Sequence, residues 1–426
     1  MSSVSSVVEA VTDGAVMLSD LQPFGEVREA IASDAVDGVQ PRFVIEPPTG
    51  DAVAALLAWA SARGVFTLLR GSGTKLGWGR RPKAIDVVVG TRRLNRVLAH
   101  PHGDLTATVE AGTTVRELNQ ALARHGQWLP VDVAFDEATV GGMIATNESG
   151  PLRHRHGTPR DLLIGIHLAM TDGRVVKAGG TVVKNVAGYD LGKLVSGSNG
   201  SLAAIVSATF KLAPLPGASA TVVARFRDPE RVGRAVAAVS ASQIEPTAFD
   251  IHATAGLFQL LIQFATTQAA IDAQLTAIRP LIGADMFDVV TGADEAEVWR
   301  GQTRAMWTEP GAIVRASWLP ASLASLLALV NEIGASGLRS VALVGRCGVG
   351  AGLMRIDGDP VAVTAAVARL RSATKVLGHV VVLRVDATAK DGLDVWGPLG
   401  DHGALLAAVK RAFDPAGILN AERGPV

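Results

Sequence analysis

The sequence has almost no cysteine and no long apolar run, and both scarcities limit what the protein can be. Cys347 is the one cysteine in 426 residues. The chain therefore holds neither an internal disulfide nor a zinc or iron–sulfur site ligated by its own cysteines. The longest apolar runs, such as residues 52–60, fall far short of the ~20 residues of a spanning helix. We expect no transmembrane segment.

An excess of one charge and a secretory signal are also missing. Lys+Arg and Asp+Glu balance at 40 each, so no basic surplus indicates a nucleic-acid partner. The first 15 residues include Glu9 and Asp13 and lack the basic stretch that precedes the apolar part of a signal peptide. We expect a cytoplasmic protein, or one held peripherally at the inner membrane through its partners.

What is present divides the chain into successive regions. Residues 38–217 carry glycine-rich loops between short strand-like segments, and residues 218–400 alternate helical and strand-like patterns. The second pattern predicts an α+β domain of the ferredoxin-like kind. Residues 401–426 predict a last helix and a turn that return to the first domain. No internal repeat is visible in the sequence.

The first glycine-rich stretch, GSGTKLGWG at residues 71–79, follows a strand-like segment. A Rossmann fingerprint needs a third glycine where Leu76 stands, and a P-loop needs a spacing that is missing here. A cradle of backbone N–H groups for a pyrophosphate, without a following helix, agrees with the pattern. The alternative is a surface loop whose glycines only make turns.

Two more clusters of small residues, 138–150 and 197–202, favour the cradle. Small side chains allow a flat or extended ligand to lie against the backbone. Thr139, Thr146 and Ser149 add hydroxyl donors within the first of these clusters. We interpret the three clusters together as one ligand-binding surface.

The order of these segments resembles the FAD-linked oxidases of the vanillyl-alcohol-oxidase type, which have a PCMH-type FAD-binding domain. The matching segments are residues 71–79, 110–112, 138–147, 160–165 and 197–206. Within that family, residues 183–190, Trp78 and Arg315 resemble the FAD-binding subunit of bacterial glycolate oxidase. Residues 413–420 are similar to the family's closing motif, but Ala421, Glu422 and Arg423 replace the residues that usually follow.

The resemblance implies an α+β fold with two domains, a PCMH-type FAD-binding domain at residues 38–217 and an α+β, ferredoxin-like cap at residues 218–400. It also implies FAD, which we expect to be non-covalent because residues 71–79 contain neither His nor Cys. The implied cofactor-binding residues are Arg70, Gly71, Ser72, Gly73, Thr74, Lys75 and Leu76 around the pyrophosphate, Thr139, Gly141, Gly142, Ala145, Thr146, Ser149 and Gly150 along the flavin and ribityl chain, Gly200, Ile205 and Val206 through their backbone, and Asn420 near the flavin edge. Pro130 is a further implied cofactor-binding residue, without an assigned part of the cofactor.

The implied function is that of the FAD-binding subunit of a glycolate oxidase complex, which oxidises glycolate to glyoxylate. A second flavoprotein subunit and an iron–sulfur subunit are the implied partners. Such oxidation needs a cation for the substrate carboxylate and a base or metal for the hydroxyl proton. The histidine-bearing glycine motif of the metal-dependent relatives has no histidine in residues 344–355, so we expect no metal. Arg315, Arg346 and Arg355 are candidate carboxylate anchors or plain structural cations, and no base is identified.

Two alternatives stay open at this point. One is a free-standing FAD-dependent dehydrogenase for a 2-hydroxy acid or an alcohol. The other is a flavin-free assembly subunit that keeps the fold. The histidine pairs His100/His102 and His154/His156 have metal-ligand spacing, but both lie in polar loops with no third ligand nearby in the sequence.

Overall fold

Short strands and short helices alternate over the first half of the chain. The structure is a computed structural model that describes residues 16–182, 188–307 and 311–426. The strands of this half are β1 (Glu26–Glu29), β2 (Phe43–Glu46), β3 (Thr67–Arg70), β4 (Val87–Gly90), β5 (Val97–Ala99), β6 (Thr106–Glu110), β7 (Gln127–Trp128), β8 (Leu163–Ala169), β9 (Val175–Gly179), β10 (Ala204–Lys211) and β11 (Ala213–Pro214). The helices are α1 (Leu18–Leu21), α2 (Gly50–Arg63), α3 (Val115–Ala123), α4 (Val140–Thr146), α5 (Arg153–His156), α6 (Pro159–Leu162) and α7 (Leu191–Val195).

The first sheet has the strand order β1-β2-β4-β3. Strands β2, β4 and β3 are parallel, whereas β1 is antiparallel to β2. All four residues of β4 are buried, as expected for an inner parallel strand that is covered on both faces. Helix α2 covers one face with Leu56 and Leu57, starts at the Thr49 cap and ends at Gly64 in the left-handed conformation.

The second sheet is antiparallel, in the order β5-β6-β10-β8-β9. The hairpin between β8 and β9 turns at Gly173, whose φ is 89°, where the Asp-Gly pair predicts it. The predicted capping box of α3 is also confirmed, since the Thr114 hydroxyl accepts from the Glu117 N–H at 3.1 Å and the Glu117 carboxylate accepts from the Thr114 N–H at 3.0 Å.

The second half of the chain forms a single eight-stranded sheet with helices. Its strands are β12 (Ala218–Phe226), β13 (Ala248–Thr254), β14 (Leu257–Thr266), β15 (Met286–Val290), β16 (Ala312–Trp318), β17 (Ser340–Arg346), β18 (Ala351–Asp357) and β19 (Leu377–Arg384). Its helices are α8 (Pro229–Ser240), α9 (Gln268–Ile282), α10 (Gly292–Trp307), α11 (Leu323–Gly334) and α12 (Pro360–Ser372). The strand order is β15-β12-β14-β13-β17-β18-β16-β19, and every pairing is antiparallel.

The same connectivity occurs twice in this sheet. The elements β12-α8-β13-β14-α9-β15 form one βαββαβ unit, and β16-α11-β17-β18-α12-β19 form a second. Each unit has the ferredoxin-like strand order. The units are joined where β13 pairs with β17, through partners such as Ile251 and Gly345. The sequence, which shows no repeat, predicts one ferredoxin-like cap; the structure contains two such units in one sheet.

Helix α10 connects the two units and lies on the face opposite to the other four helices. Alternate residues of β12, such as Val222 and Ala224, are buried in the core that contains α8, α9, α11 and α12. Thr221, between them, points to the other face. There its hydroxyl donates to the Glu295 carboxylate at 2.7 Å and accepts from the Trp299 indole N–H at 3.0 Å, and both partners belong to α10.

The end of the chain lies against the first half. Helix α13 (His402–Phe413) packs Val409 and Phe413 against the core of the second sheet. Leu419 then forms a parallel bridge with Thr67 of β3, and it is fully buried. The Asp414 carboxylate accepts from the Leu419 N–H at 2.8 Å, which fixes this turn. Within the described ranges, no helix has the length and apolarity needed to cross a membrane.

Candidate functional site

A run of free backbone donors lies at the end of β3. The strand ends at Arg70, and residues 71–79, the glycine loop, follow without a helix, as the sequence predicts. The backbone N–H groups of Ser72, Gly73, Thr74 and Lys75 donate no hydrogen bond within the part of the chain that the structure describes. Gly73 has a φ of 85°, which a glycine adopts without strain. Consecutive free amides of this kind bind anions.

The start of α4 forms the wall that faces the glycine loop. Thr139 caps α4 by accepting from the Gly142 N–H at 3.2 Å. A Cβ atom at Gly71 would collide with the Thr139 hydroxyl, and one at Gly141 would lie 2.9 Å from the Ala111 Cβ. Glycine is required at both positions because the loop, the helix and β6 approach one another this closely.

Asn420 closes the third side of this cleft. Its side-chain oxygen accepts from the Leu69 N–H at 2.9 Å, and its side-chain nitrogen donates to the Asn199 carbonyl at 2.5 Å. A Cβ at Gly200 would lie 2.9 Å from that same nitrogen. One side chain from the end of the chain therefore joins β3 to the loop before β10.

These three walls enclose one cavity, which we call the first cavity. The predicted cofactor-binding residues that line it are Arg70, Gly71, Ser72, Gly73, Thr74, Lys75, Leu76, Thr139, Gly141, Gly142, Ala145, Thr146, Gly200, Ile205 and Asn420. No cofactor-binding role was predicted from the sequence for the further lining residues Leu68, Leu69, Trp78, Thr91, Ala111, Asn199, Ala203, Ala204 and Arg423. Of these, Ala111, Asn199, Ala203 and Ala204 lie in segments that carry the family resemblance, and Trp78 carries the narrower one.

Two predicted residues lie elsewhere. Pro130 is buried and lines neither this cavity nor the adjoining one. Val206 is also outside both linings; its carbonyl accepts from the Ala111 N–H at 2.9 Å, and its side chain lies next to Gly50. Residues 183–187, which carry part of the narrower resemblance, fall outside the described residues.

A second cavity adjoins the first, and Trp78 and Thr146 line both. The second cavity has a volume of about 270 Å³ and lies between the end of α4 and the sheet of the second half. The predicted residues Ser149, Gly150, Arg315 and Arg346 line it. Arg355 does not line this cavity. It pairs instead with Asp357 at 3.0 Å. At the junction, the Trp78 ring stacks on Trp307 of α10 with their centroids 5.4 Å apart.

Unpaired arginines dominate the charge of the second cavity. Arg315 of β16 and Arg153 of α5 both line it, and neither makes an ion pair with any acid in the described ranges. The Arg315 side chain is exposed to the open cavity, but the surrounding protein still lowers the pKa of its guanidinium, and the charge of Arg153 lowers it further. Burial and the nearby Arg346 likewise lower the pKa of Arg153, whereas the charge of Asp161 raises it. An anion bound between Arg153 and Arg315 would relieve this repulsion.

Two carboxylates flank Arg346 at the wall of the second cavity. Asp132 lines the cavity, and its Oδ2 accepts from the Leu152 N–H at 2.6 Å, while its Oδ1 has no hydrogen bond within the described chain. Burial raises the pKa of Asp132 to about 6. Asp250 lies behind the wall, 3.7 Å from the Arg346 Nε, and burial raises the pKa of its carboxyl to about 7. Sequence patterns gave no signal for Asp132 or Arg153.

Comparison with known proteins identifies the domain that forms much of the first cavity. Residues 41–179 match the family described as FAD binding domain. This part of the chain is an FAD-binding domain. The free amides of the glycine loop and the glycines that keep the first cavity open fit the pyrophosphate and the extended body of FAD, which is the cofactor of this domain.

Relatives of the FAD-binding domain are oxidoreductases. The chain is 34% identical over 196 residues to "D-lactate dehydrogenase" of Archaeoglobus fulgidus, which covers 46% of this chain and 43% of that protein. It is 31% identical over 211 residues to "Glycolate oxidase subunit GlcD" of Bacillus subtilis, covering 49% and 45%. It is 34% identical over 154 residues to "Glycolate oxidase subunit GlcE" of Escherichia coli, covering 36% and 43%. These matches span less than half of each relative's length.

The FAD-binding domain and the sheet that follows it share their fold with an enzyme of known structure. Alkyldihydroxyacetonephosphate synthase aligns with a TM-score of 0.64 over 90% of this chain and 76% of its own, at 16% identity. At that identity the likeness concerns the fold only. The two-part α+β architecture predicted from the sequence is thereby confirmed.

The two histidine pairs, His100/His102 and His154/His156, have different surroundings in the structure. His100 and His102 have a third histidine nearby, contrary to expectation: the His125 ring lies 5.1 Å from His100 and 4.8 Å from His102, centroid to centroid. No group of three or more His, Cys, Asp or Glu among the described residues is arranged to hold a metal ion. His154 instead packs edge-on against Phe249, and the lone thiol of Cys347 is buried.

Proposed function

We propose that this chain is an FAD-dependent oxidoreductase that oxidises a 2-hydroxy acid in the second cavity. One observation carries the proposal: Arg153 and Arg315, neither of which makes an ion pair within the described residues, line a cavity that shares Trp78 and Thr146 with the FAD cavity. A substrate carboxylate bound there would lie beside the flavin end of the cofactor. We propose the same cofactor-binding residues as the sequence indicates, with the exception of Pro130 and Val206.

The carboxylate of the substrate would bind between Arg153 and Arg315. Guanidinium groups form paired, charge-assisted hydrogen bonds with carboxylates. The mutual repulsion of the two arginines disfavours the empty cavity and favours the anion-bound one. Apolar residues, among them Met306, Leu353 and Leu383, line other parts of the cavity and limit the solvent around the bound anion.

Asp132 would take the hydroxyl proton of the substrate at its free Oδ1 atom. Bound FAD supplies the acceptor for the hydride from the α-carbon. A carboxylate with a pKa near 6 is ionised at neutral pH and is basic enough to act as a general base. Arg346, held by Asp250 at 3.7 Å, keeps a positive charge near Asp132 and favours its ionised form.

We propose further that the chain is the FAD-binding subunit of a complex of the glycolate oxidase type, which converts glycolate to glyoxylate. Electrons would pass from the flavin to an iron–sulfur partner, and a second flavoprotein subunit would complete the complex. The single, buried Cys347 supports this division, because the chain cannot ligate a cluster with its own cysteines. We place the complex in the cytoplasm, peripheral to the inner membrane through its partners.

A second candidate, a free-standing dehydrogenase, is favoured by the presence of both an anion site and a proton acceptor in one chain. The two candidates differ in how the flavin is reoxidised after the substrate has reduced it. The chain is expressed alone, its visible spectrum is recorded, and glycolate or D-lactate is added without oxygen. Bleaching of the flavin bands supports oxidation at this cavity. If dyes then reoxidise the reduced flavin slowly, and only an iron–sulfur partner makes this reoxidation fast, the complex is supported. If dyes alone reoxidise the flavin rapidly, the free-standing enzyme is supported.

Two results would contradict the proposal. Flavin bands that stay unbleached with every 2-hydroxy acid tested would exclude oxidation by the chain alone and leave a subunit that depends on a catalytic partner. A colourless chain that does not bind added FAD would instead indicate a flavin-free assembly subunit.

A further inference from the structure

Three buried side chains from distant parts of the chain meet beneath the glycine loop. Asp37 precedes β2, Lys390 follows β19, and Arg423 lies near the end of the chain. The exposed fractions of these side chains are 10%, 1% and 7%. The Lys390 ammonium pairs with the Asp37 carboxylate at 2.8 Å, and the Arg423 Nη1 lies 3.9 Å from the same carboxylate oxygen.

The two cations of this cluster hold three consecutive carbonyl groups. The Lys390 Nζ donates to the Gly77 carbonyl at 2.5 Å. The Arg423 Nη2 donates to the Leu76 carbonyl and, at 2.6 Å, to the Trp78 carbonyl. Three successive carbonyl oxygens of the glycine loop are therefore bound by two buried cations. The loop cannot turn without breaking charge-assisted hydrogen bonds in a buried place.

We propose that Asp37, Lys390 and Arg423 form a carbonyl clamp that positions the glycine loop for the pyrophosphate of FAD. The free N–H groups of residues 72–75 belong to the same loop, immediately before the clamped carbonyls. A loop fixed at residues 76–78 presents these donors in one arrangement before the cofactor binds, which lowers the entropy cost of binding. Asp37 and Lys390 are positioning residues, since they act through the loop, whereas Arg423 both holds the loop and lines the first cavity.

The clamp is itself fixed by the second half of the chain and by the C-terminal tail. The Trp396 indole donates to the Arg423 carbonyl at 3.0 Å, and the Arg80 N–H donates to the same carbonyl at 3.2 Å. A Cβ at Gly79 would lie 2.7 Å from that oxygen, so the tail and the loop are in direct contact. The residues after Asn420, which depart from the family's usual ending, thus have a place in the structure: they hold the loop.

The clamp makes FAD affinity depend on Asp37 and Lys390, which do not line the first cavity. The inference rests on the proposed binding of pyrophosphate by residues 70–76, but not on any substrate or partner. Its test therefore measures binding and involves no turnover. Failure of the test leaves oxidation of a 2-hydroxy acid unaffected, and failure to find a substrate leaves the clamp unaffected.

Binding is measured on the full chain after removal of its FAD, with three probes. FAD reports the whole site, ADP reports the pyrophosphate cradle, and riboflavin reports the flavin pocket without a pyrophosphate. Lys390→Met removes the ammonium but keeps the length of the side chain. Asp37→Asn combined with Lys390→Met removes the pair together and leaves no unpaired buried charge. Lys83→Met is the control, because Lys83 pairs with Glu422 at the surface.

We expect both clamp variants to bind FAD and ADP at least about tenfold more weakly, the usual value of a lost charge-assisted hydrogen bond, and riboflavin as before. Lys83→Met should bind all three probes like the unmodified chain. Arg423→Lys, which keeps the charge but is shorter and lacks the planar guanidinium, should lie between. Circular dichroism of each variant verifies folding. Unchanged ADP affinity in the folded double variant would overturn the clamp, and so would equal losses for ADP and riboflavin.

Discussion

The side-chain oxygen of Asn420 accepts a hydrogen bond from the backbone N–H of Leu69 at 2.9 Å, across 351 positions of the sequence. Asn420 has a φ of 44°, in the left-handed region that asparagine tolerates better than most residues. Its amide nitrogen also binds the Asn199 carbonyl. Asn420 thus ties β3 to the loop before β10, two walls of the first cavity, although it belongs to neither.

Two replacements of Asn420 distinguish the effects of its two hydrogen bonds. Asn420→Ala removes both and leaves the buried Leu69 N–H unsatisfied, so the free energy of unfolding should fall by about 1–3 kcal/mol and FAD should bind more weakly. Asn420→Asp keeps the acceptor and should lose less. Denaturant unfolding and FAD titration measure both effects. Asn331→Ala, which removes a comparable acceptor for the Gly256 N–H in the second half, should leave FAD affinity unchanged; an equal loss there would argue against a local effect.

Gly71 should tolerate no side chain. Gly71→Ala places a Cβ against the Thr139 hydroxyl, which forces the glycine loop away from α4 and costs about 1–3 kcal/mol of stability. We expect the purified variant to retain little FAD. Gly103→Ala is the matched change, because a Cβ there meets no atom within 4 Å. The flavin-to-protein absorbance ratio compares the two, and a fully loaded Gly71→Ala variant would contradict the close approach.

Arg315 should govern substrate affinity and hardly affect FAD. Arg315→Leu removes one of the two unpaired cations of the second cavity, and the apparent dissociation constant of the 2-hydroxy acid should rise about 30-fold or more, equivalent to about 2 kcal/mol. Anaerobic titration of flavin reduction gives this constant. Arg369→Leu, which breaks an exposed pair with Glu332, serves as the control. A variant that saturates with substrate as before would exclude Arg315 as an anchor.

Flavin reduction by substrate should depend on pH through Asp132. The pKa of this carboxyl is raised to about 6, so the rate should be full at pH 7 to 8, half at about pH 6, and about tenfold lower for each further unit below. Stopped-flow reduction over this range measures the profile. Asp132→Asn should lower the rate by about 10²–10⁴ and remove the step near pH 6. A profile that keeps this step in the variant would assign it to another group.

The same carboxyl affects stability with the opposite sign. Its raised pKa means that folded protein keeps a proton that unfolded protein releases between about pH 4 and pH 6. The contribution of Asp132 to stability is therefore present below pH 4 and lost as the pH rises to 6. Asp132→Asn should accordingly be more stabilising at pH 7 than at pH 4, measured by denaturant unfolding at both values. Equal effects at both pH values would mean that the carboxyl is not desolvated.

Acid denaturation should release FAD from the protein, because we expect no covalent bond between them. No His, Cys or Tyr is among the described residues that line the first cavity, so the cavity offers the flavin none of these side chains for a covalent link. Precipitation with acid should leave a white pellet and a yellow supernatant with the spectrum of free FAD. A yellow pellet after washing would show a covalent bond.

Local signals in the sequence were enough for part of this site. The glycine loop, the Thr139 cluster and the loop before β10 were predicted as one ligand surface because glycine and small hydroxyl residues have few other uses at that density. Helix α4 was not predicted, since Gly141 and Gly142 disfavour helix by about 1 kcal/mol each. The Thr139 cap and the burial of Val140, Met143 and Ile144 outweigh that cost.

Two residues of the second cavity, Arg153 and Asp132, were not predicted, for a different reason. Arg153 lies in the run RHRH, which looks like a solvated loop in the sequence, and Asp132 lies in an irregular segment. Only the packing of this segment against β16 and β17 makes them neighbours of Arg315 and Arg346. The pairing of β13 with β17 had no local signal either, because each strand carries the same apolar alternation whichever partner it has.

Helix α10 makes the two βαββαβ units of the eight-stranded sheet unequal, although their topology is the same. In the first βαββαβ unit, α10 covers the face turned away from the four core helices, through Glu295 and Trp299. In the second unit, Arg315 on the equivalent face is left open to the second cavity. A scaffold built from two like halves would otherwise offer two comparable hollows. The start of the linker covers this face in the first unit, whereas its end, with Met306 and Trp307, only borders the second cavity, so the two like units differ in which face is left open.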